Sequence, residues 1–151
     1  MGEPSNGGST FVPAIAGFFC PQCGDDCLSK MGEVHGEIPT SIKSVRVMCA
    51  EKVGTDLVRE AFEFGADGVL ICGCLVGLCK TKDTNVRVLA HIHQTKKALK
   101  EMEISPNRLR QEWICAPGGD SVRQIVEEFT EQVRHLGPLQ TEVREALQGK
   151  V

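Results

Sequence analysis

Cysteines are the residues whose chemistry stands out in this chain of 151 residues. Two of them form the motif Cys20-Pro-Gln-Cys23, and a second pair, Cys74 and Cys79, is separated by four residues. Thiolates are the ligands that proteins use for structural zinc and for iron–sulfur clusters, and a Cys-x-x-Cys motif can also form a redox-active dithiol. The eight cysteines are at positions 20, 23, 27, 49, 72, 74, 79 and 115.

A disulfide scaffold is the other common use of many cysteines. Such scaffolds occur mostly in shorter, secreted chains that carry a leader. The first ten residues, MGEPSNGGST, lack the positively charged start of a signal peptide. We therefore expect a cytoplasmic protein whose cysteines bind a metal or carry out redox chemistry.

Four of these cysteines lie at the ends of predicted strands. The segment GVLICGC at 68–74 is a run of apolar residues, which is typical of a parallel strand buried on both faces. Further strands are predicted over 12–19, 45–49 and 109–115. Each predicted strand ends at a cysteine or directly before one, and the four residues concerned are Cys20, Cys49, Cys74 and Cys115.

Helical spacing of apolar residues predicts helices between these strands. They are expected over 27–35, 54–65, 84–102 and 118–136, with a short helix or a frayed end in 139–151. The alternation of strands and helices predicts an α/β fold, a small doubly wound parallel four-stranded sheet with helices on both faces. We divide the chain into a flexible N-terminus at 1–10, one α/β domain at 11–138 and a C-terminal tail at 139–151.

Two sets of apolar residues are predicted to lie in the core. The buried stripe of the helix at 84–102 is expected to consist of Val86, Leu89, Ile92, Leu99 and Met102. The centre of the core is expected to consist of Val69, Leu70, Ile71, Leu89, Ile125, Val126 and Phe129.

The topology predicts that the cysteines converge. In a parallel sheet all carboxyl ends of the strands lie along one edge, adjacent strands are about 4.8 Å apart, and α/β folds bind ligands at that edge. The spacings of the cysteines suit zinc and an iron–sulfur cluster about equally. The apolar residues around them favour the cluster, because such a shell tunes its redox potential.

Several stretches of this sequence resemble one family in order. They are Phe19-Cys20-x-x-Cys23, Ile42-x-x-Val45-Arg46-Val47-Met48-Cys49, Glu60-Ala61-Phe62-x-x-Gly65-Ala66-Asp67-Gly68-Val69, Gly73-Cys74-x-x-Gly77-x-Cys79, Arg108-Leu109-Arg110-x-Glu112-Trp113-Ile114 and Leu136-Gly137-Pro138. Over about residues 12–138 the chain resembles the delta, or iron–sulfur, subunit of methyl-viologen-reducing (F420-non-reducing) [NiFe] hydrogenase, which is associated with heterodisulfide-reductase-type complexes.

The resemblance implies a cofactor, a ligand set and a role. The cofactor is a [2Fe-2S] cluster, bound by four of the five cysteines that match the family, namely Cys20, Cys23, Cys49, Cys74 and Cys79. The role is to relay electrons between a hydrogenase or other dehydrogenase subunit and the flavin of a heterodisulfide-reductase-like subunit, the site of electron bifurcation. Outside the pattern lie Cys27, Cys72 and Cys115, which we interpret as small buried hydrophobic residues.

Composition excludes some other functions. The net charge of −3 provides no basic surface for nucleic acid, and no apolar run is long enough to span a membrane. The sequence shows no nucleophile–base pair, so we expect a redox subunit that is not catalytic alone. Two alternatives are a zinc-stabilised interaction module and a free dithiol oxidoreductase that uses Cys20 and Cys23.

Overall fold

A four-stranded parallel sheet forms the centre of the computed structural model, which describes residues 11–20, 42–74, 84–114 and 119–149. The order of the strands is β2-β1-β3-β4. The prediction of a small parallel α/β sheet is therefore confirmed. The strands are β1 (Ile15–Phe19), β2 (Ile42–Arg46), β3 (Gly68–Cys74) and β4 (Leu109–Ile114).

Four helices cover the sheet in the described part of the chain. They are α1 (Thr55–Glu63), α2 (Thr84–Glu101), α3 (Gly119–Leu136) and α4 (Thr141–Gln148), and two 3₁₀ turns lie at Ala50–Lys52 and Pro106–Arg108. The helix predicted over 27–35 lies outside the described residues.

Helices lie on both faces of the sheet, as predicted. Three of them, α1, α2 and α4, pack on one face and bury the first apolar cluster, which includes Phe18, Val58, Phe62, Val69, Ile71, Val88, Ile92, Leu99 and Leu147. On the other face α3 buries the second apolar cluster, which consists of Ile15, Phe19, Ile42, Leu70, Cys72, Val122, Val126, Phe129 and Val133.

The predicted buried stripe of α2 is wrong at two positions. Val86 is 66% exposed and Leu89 is 52% exposed. The buried face instead runs through Val88, Ile92 and Thr95 and ends at Leu99. Since each residue of a helix turns by roughly 100°, Leu89 lies well off the face that carries Val88, and Leu89 is not part of the core centre.

A buried polar contact accounts for this difference. The hydroxyl groups of Thr55 in α1 and Thr95 in α2 lie 3.0 Å apart and form a hydrogen bond between the two helices. Because each hydroxyl satisfies the other, Thr95 can occupy a core position. A polar residue on the buried face interrupted the apolar periodicity from which the stripe was predicted.

The second strand begins and ends three residues earlier than predicted. It covers Ile42–Arg46 rather than 45–49, and its last four residues are exposed. As an edge strand it is not buried on both faces, so no apolar run marks it in the sequence. Met48 and Cys49 therefore follow the strand instead of belonging to it.

A buried carboxylate joins the C-terminal helix to the sheet. Asp67, directly before β3, accepts hydrogen bonds from the backbone N–H of Ala14 at 3.0 Å and of Leu139 at 3.1 Å. It also forms an ion pair of 2.8 Å with Arg144 in α4. The carbonyl oxygen of Asp67 accepts a bond of 2.9 Å from Arg108, and burial lowers the pKa of that guanidinium. The segment after α3 is thus fixed to the start of β1.

Candidate functional site

The carboxyl ends of β1, β2 and β3 lie side by side. Phe19 pairs in register with Cys72 on one side and with Arg46 on the other. Beyond these pairs, the N–H of Cys20 donates to the carbonyl oxygen of Cys72 at 3.4 Å, and the N–H of Val47 donates to that of Phe19 at 3.1 Å. Cys20 therefore follows the strand as predicted, and its side chain is buried.

The last three residues of β3 include two cysteines, and the backbone of the strand places both at this edge. Cys74 is the last residue of β3 and pairs with Ile114 of β4. Cys72, two residues earlier, is fully buried in the second apolar cluster against α3. The burial predicted for Cys72 is confirmed.

Cys49 reaches the same edge from a 3₁₀ turn. It precedes the turn Ala50–Lys52, and its carbonyl oxygen accepts a hydrogen bond of 2.9 Å from the N–H of Lys52. Its own side chain is half-buried, and the next residue, Ala50, is buried against β3. The turn thus places Cys49 beside the end of the central strand.

Helix α2 holds this turn in place. Arg87 donates to both oxygens of the Glu51 carboxylate, with Nε–Oε1 at 2.6 Å and Nη2–Oε2 at 3.3 Å. These hydrogen bonds lower the pKa of Glu51 below its ordinary value. His91 donates from Nδ1 to the carbonyl oxygen of Glu51 at 3.1 Å. Two contacts of α2 therefore fix the residues that directly follow Cys49.

An aromatic side chain covers the last part of β3. Trp113 pairs with Gly73 in register. A Cβ atom built on Gly73 would lie 3.2 Å from Cζ3 of Trp113 and 3.3 Å from Cβ of Ala50. Only a glycine leaves room for both neighbours without a shift, so Trp113 and Ala50 pack closely against the backbone between Cys72 and Cys74.

Three of the five predicted ligand positions are thus found at one edge. They are Cys20, Cys49 and the backbone position of Cys74, while Cys23 and Cys79 lie outside the described residues. Cys27 and Cys115 lie outside them as well. Among the side chains that the structure describes, no three Cys, His, Asp or Glu residues converge in a group suited to a metal ion.

Exposed apolar side chains lie at this carboxyl edge of the sheet. Met48, next to Cys49, is 88% exposed, and Val86 and Leu89 project from the first two turns of α2. Sequence reasoning missed Met48, because it placed this residue inside a strand. Met48 instead lies two residues after the end of β2.

Comparison with known proteins identifies the family. Residues 15–137 match the family described as methyl-viologen-reducing hydrogenase, delta subunit. The chain belongs to this family. The predicted resemblance is therefore confirmed, and the match covers the whole sheet and helices α1 to α3.

Relatives of this delta subunit family occur at two very different lengths. The chain is 34% identical over 130 residues to the iron-sulfur subunit of the F420-non-reducing hydrogenase of Archaeoglobus profundus, covering 86% of this chain and 95% of that protein. It is 32% identical over 133 residues to one subunit of the Ferredoxin/F(420)H(2)-dependent CoB-CoM heterodisulfide reductase of Methanosarcina acetivorans. That match covers 88% of this chain but only 17% of the relative. The same domain is thus similar to a separate subunit and to one part of a much longer protein.

No helix in the described ranges is both long enough and apolar enough to cross a lipid bilayer.

Proposed function

We propose that this protein is an electron-transfer subunit that carries a [2Fe-2S] cluster. It relays electrons between a partner redox enzyme and the flavin of a heterodisulfide-reductase-like subunit. The observation that carries the proposal is the convergence of Cys20, Cys49 and the end of β3 at one sheet edge. Support also comes from the relatives of similar length, which are named iron-sulfur subunits.

The residues at this edge fit such a cluster chemically. Iron–sulfur clusters are held by cysteine thiolates, and the proposed ligands are four of Cys20, Cys23, Cys49, Cys74 and Cys79. Buried aromatic residues stand directly before Cys20, with Phe18 in the first apolar cluster and Phe19 in the second. When bound, the cluster supplies reversible one-electron transfer.

The role of the chain itself is to hold and shield this group. The parallel strands fix the relative positions of the cysteine-bearing segments, and the 3₁₀ turn is tied to α2 by Glu51. Apolar neighbours such as Trp113 limit the access of water, which affects reduction potential. The half-buried Cys49 and the exposed Met48 give the group a short route to the protein surface.

The partner proposed for this chain follows from the two kinds of relative. The domain is similar both to the iron-sulfur subunit of a hydrogenase and to part of a heterodisulfide reductase, which fits a position where these two proteins meet. We therefore propose that the chain binds a hydrogenase or other dehydrogenase subunit and a heterodisulfide-reductase-like flavoprotein subunit.

Docking at the carboxyl edge gives a prediction about Met48. An exposed apolar side chain beside a redox group is well placed for a partner contact. Replacing Met48 by glutamate should weaken binding of the heterodisulfide-reductase-like subunit by about thirtyfold, which corresponds to the roughly 2 kcal/mol that marks an interface hot spot. Calorimetric titration of the purified subunits measures this change.

Phe64 provides the matched control for Met48. It is 81% exposed, but it follows α1 and lies at the opposite, amino edge of the sheet, where it lines an apolar groove of about 410 Å³. Phe64→Glu should leave the affinity unchanged. If Phe64→Glu weakens binding and Met48→Glu does not, the partner docks on the groove and the proposed docking edge is wrong.

A direct test of the relay uses the reduced protein. The chain is reduced without oxygen, freed of reductant and mixed rapidly with the oxidised flavoprotein partner. The proposal predicts that the visible absorbance of the chain recovers while the flavin absorbance is bleached. Persistence of both absorbances in a mixture that forms a stable complex would contradict it.

A further inference from the structure

We propose that Trp113 is a positioning residue for the cysteine edge, one that sets the separation of Cys49 and Cys74 and so the properties of the bound cluster. This inference rests on the proposed function. It adds to it a specific role for an aromatic side chain that belongs to no ligand set.

Trp113 packs against the end of β3. Its backbone pairs with Gly73, and its ring carbons Cζ3 and Cε3 would lie 3.2 and 3.3 Å from a Cβ at that glycine. The methyl group of Ala50 would lie 3.3 Å from the same point. The indole and Ala50 therefore occupy the space into which a side chain at Gly73 would extend.

Gly73 and Ala50 are each adjacent in sequence to a proposed ligand. Gly73 is followed by Cys74, and Ala50 is preceded by Cys49. The indole ring is rigid and fills the space above Gly73, where no side chain is present. Removing this volume would let the end of β3 and the 3₁₀ turn move relative to each other, because packed interiors respond to changes of a single methylene group.

Trp113 differs from an ordinary core residue in its burial. Trp113 is partly buried and packs at the margin of the first apolar cluster. Phe62, in contrast, is fully buried in the same cluster on α1. A residue that only stabilises the core affects the free energy of unfolding, whereas a positioning residue also changes the spectrum and potential of the group that it positions.

Substitutions of Trp113 test this distinction. Trp113→Leu should lose a large part of its iron relative to the wild type, and the remaining cluster should show a shifted midpoint potential and an altered EPR spectrum. Trp113→Phe, which keeps a flat ring over Gly73, should restore most of the iron and move the potential back toward the wild-type value. Phe62→Leu should lower stability while keeping the wild-type potential and spectrum.

Fluorescence provides a second test of the position of Trp113, because this residue is the single tryptophan of the chain. A cluster beside the indole absorbs its emission, so the iron-loaded protein should lose most of the fluorescence that the metal-free protein shows. Equal fluorescence in the two forms, or a wild-type potential and spectrum in Trp113→Leu, would overturn the inference about Trp113. A wild-type chain that binds no iron would instead overturn the proposed function itself.

Discussion

Replacing Cys74 or Cys79 by serine is expected to reduce the iron content from about two atoms per chain to near zero. Serine keeps the size of the side chain but offers a harder oxygen ligand, which binds iron–sulfur clusters poorly compared with a thiolate. Iron counting on protein purified without oxygen measures the effect, and the visible absorbance should be lost in parallel.

Three other cysteines provide the controls. Cys72 lies fully buried in the second apolar cluster against α3, so Cys72→Ala should keep its iron and show only the modest destabilisation of a small core truncation. Cys27→Ser and Cys115→Ser should also keep their iron. Equal iron in all five variants would contradict the ligand assignment.

Replacing Asp67 by asparagine is expected to lower the free energy of unfolding by about 3 to 5 kcal/mol. The carboxylate is buried and accepts bonds from Ala14, Leu139 and Arg144. The amide of asparagine carries no charge for Arg144 and has one acceptor oxygen in place of two, so a buried donor is left without a partner. Since whole domains are stable by only about 5 to 15 kcal/mol, the change is large, and urea unfolding measures it.

An exposed carboxylate is the control for Asp67. Glu127 forms an ion pair of 3.0 Å with Arg123 one turn earlier on α3, and both side chains are solvated. Glu127→Gln should change the free energy of unfolding by less than about 0.5 kcal/mol. A similar change in the two variants would show that the network around Asp67 contributes no more to stability than a solvated ion pair.

The class of fold could be predicted from the sequence because its strongest signals are long and periodic. The run at Gly68–Cys74 marked the buried central strand with its correct limits. The prediction likewise placed Val126 and Phe129 of α3 in the core, and both are buried. In both elements many consecutive residues or helical turns are buried. Burial requires apolar residues at regular positions, and this pattern is visible in the sequence.

The features that were predicted wrongly or not at all depend on tertiary contacts, which the apolar pattern of the sequence does not show. The limits of β2 were wrong because an edge strand needs no apolar run. The stripe of α2 was wrong because Thr95 is buried through its bond with Thr55. The strand order and the network around Asp67 arise from residues far apart in the sequence.

The candidate site was predicted in outline by topology. Parallel strands that end near cysteines lead to one edge, and Cys20 and Cys49 are found there with the end of β3. The exposure of Met48 and the packing of Trp113 on Gly73 could not be predicted, because each depends on a turn or a register that the sequence leaves open.

The most direct test of the central claim is a metal and sulfide count on protein purified without oxygen, combined with EPR of the reduced sample. We expect about two iron atoms and two acid-labile sulfides per chain, with the signal of a single reduced [2Fe-2S] cluster. Colourless protein with stoichiometric zinc and no sulfide would contradict it and identify a zinc-stabilised module. Protein with neither metal, in which two thiols titrate as a redox pair, would contradict it in favour of a dithiol oxidoreductase.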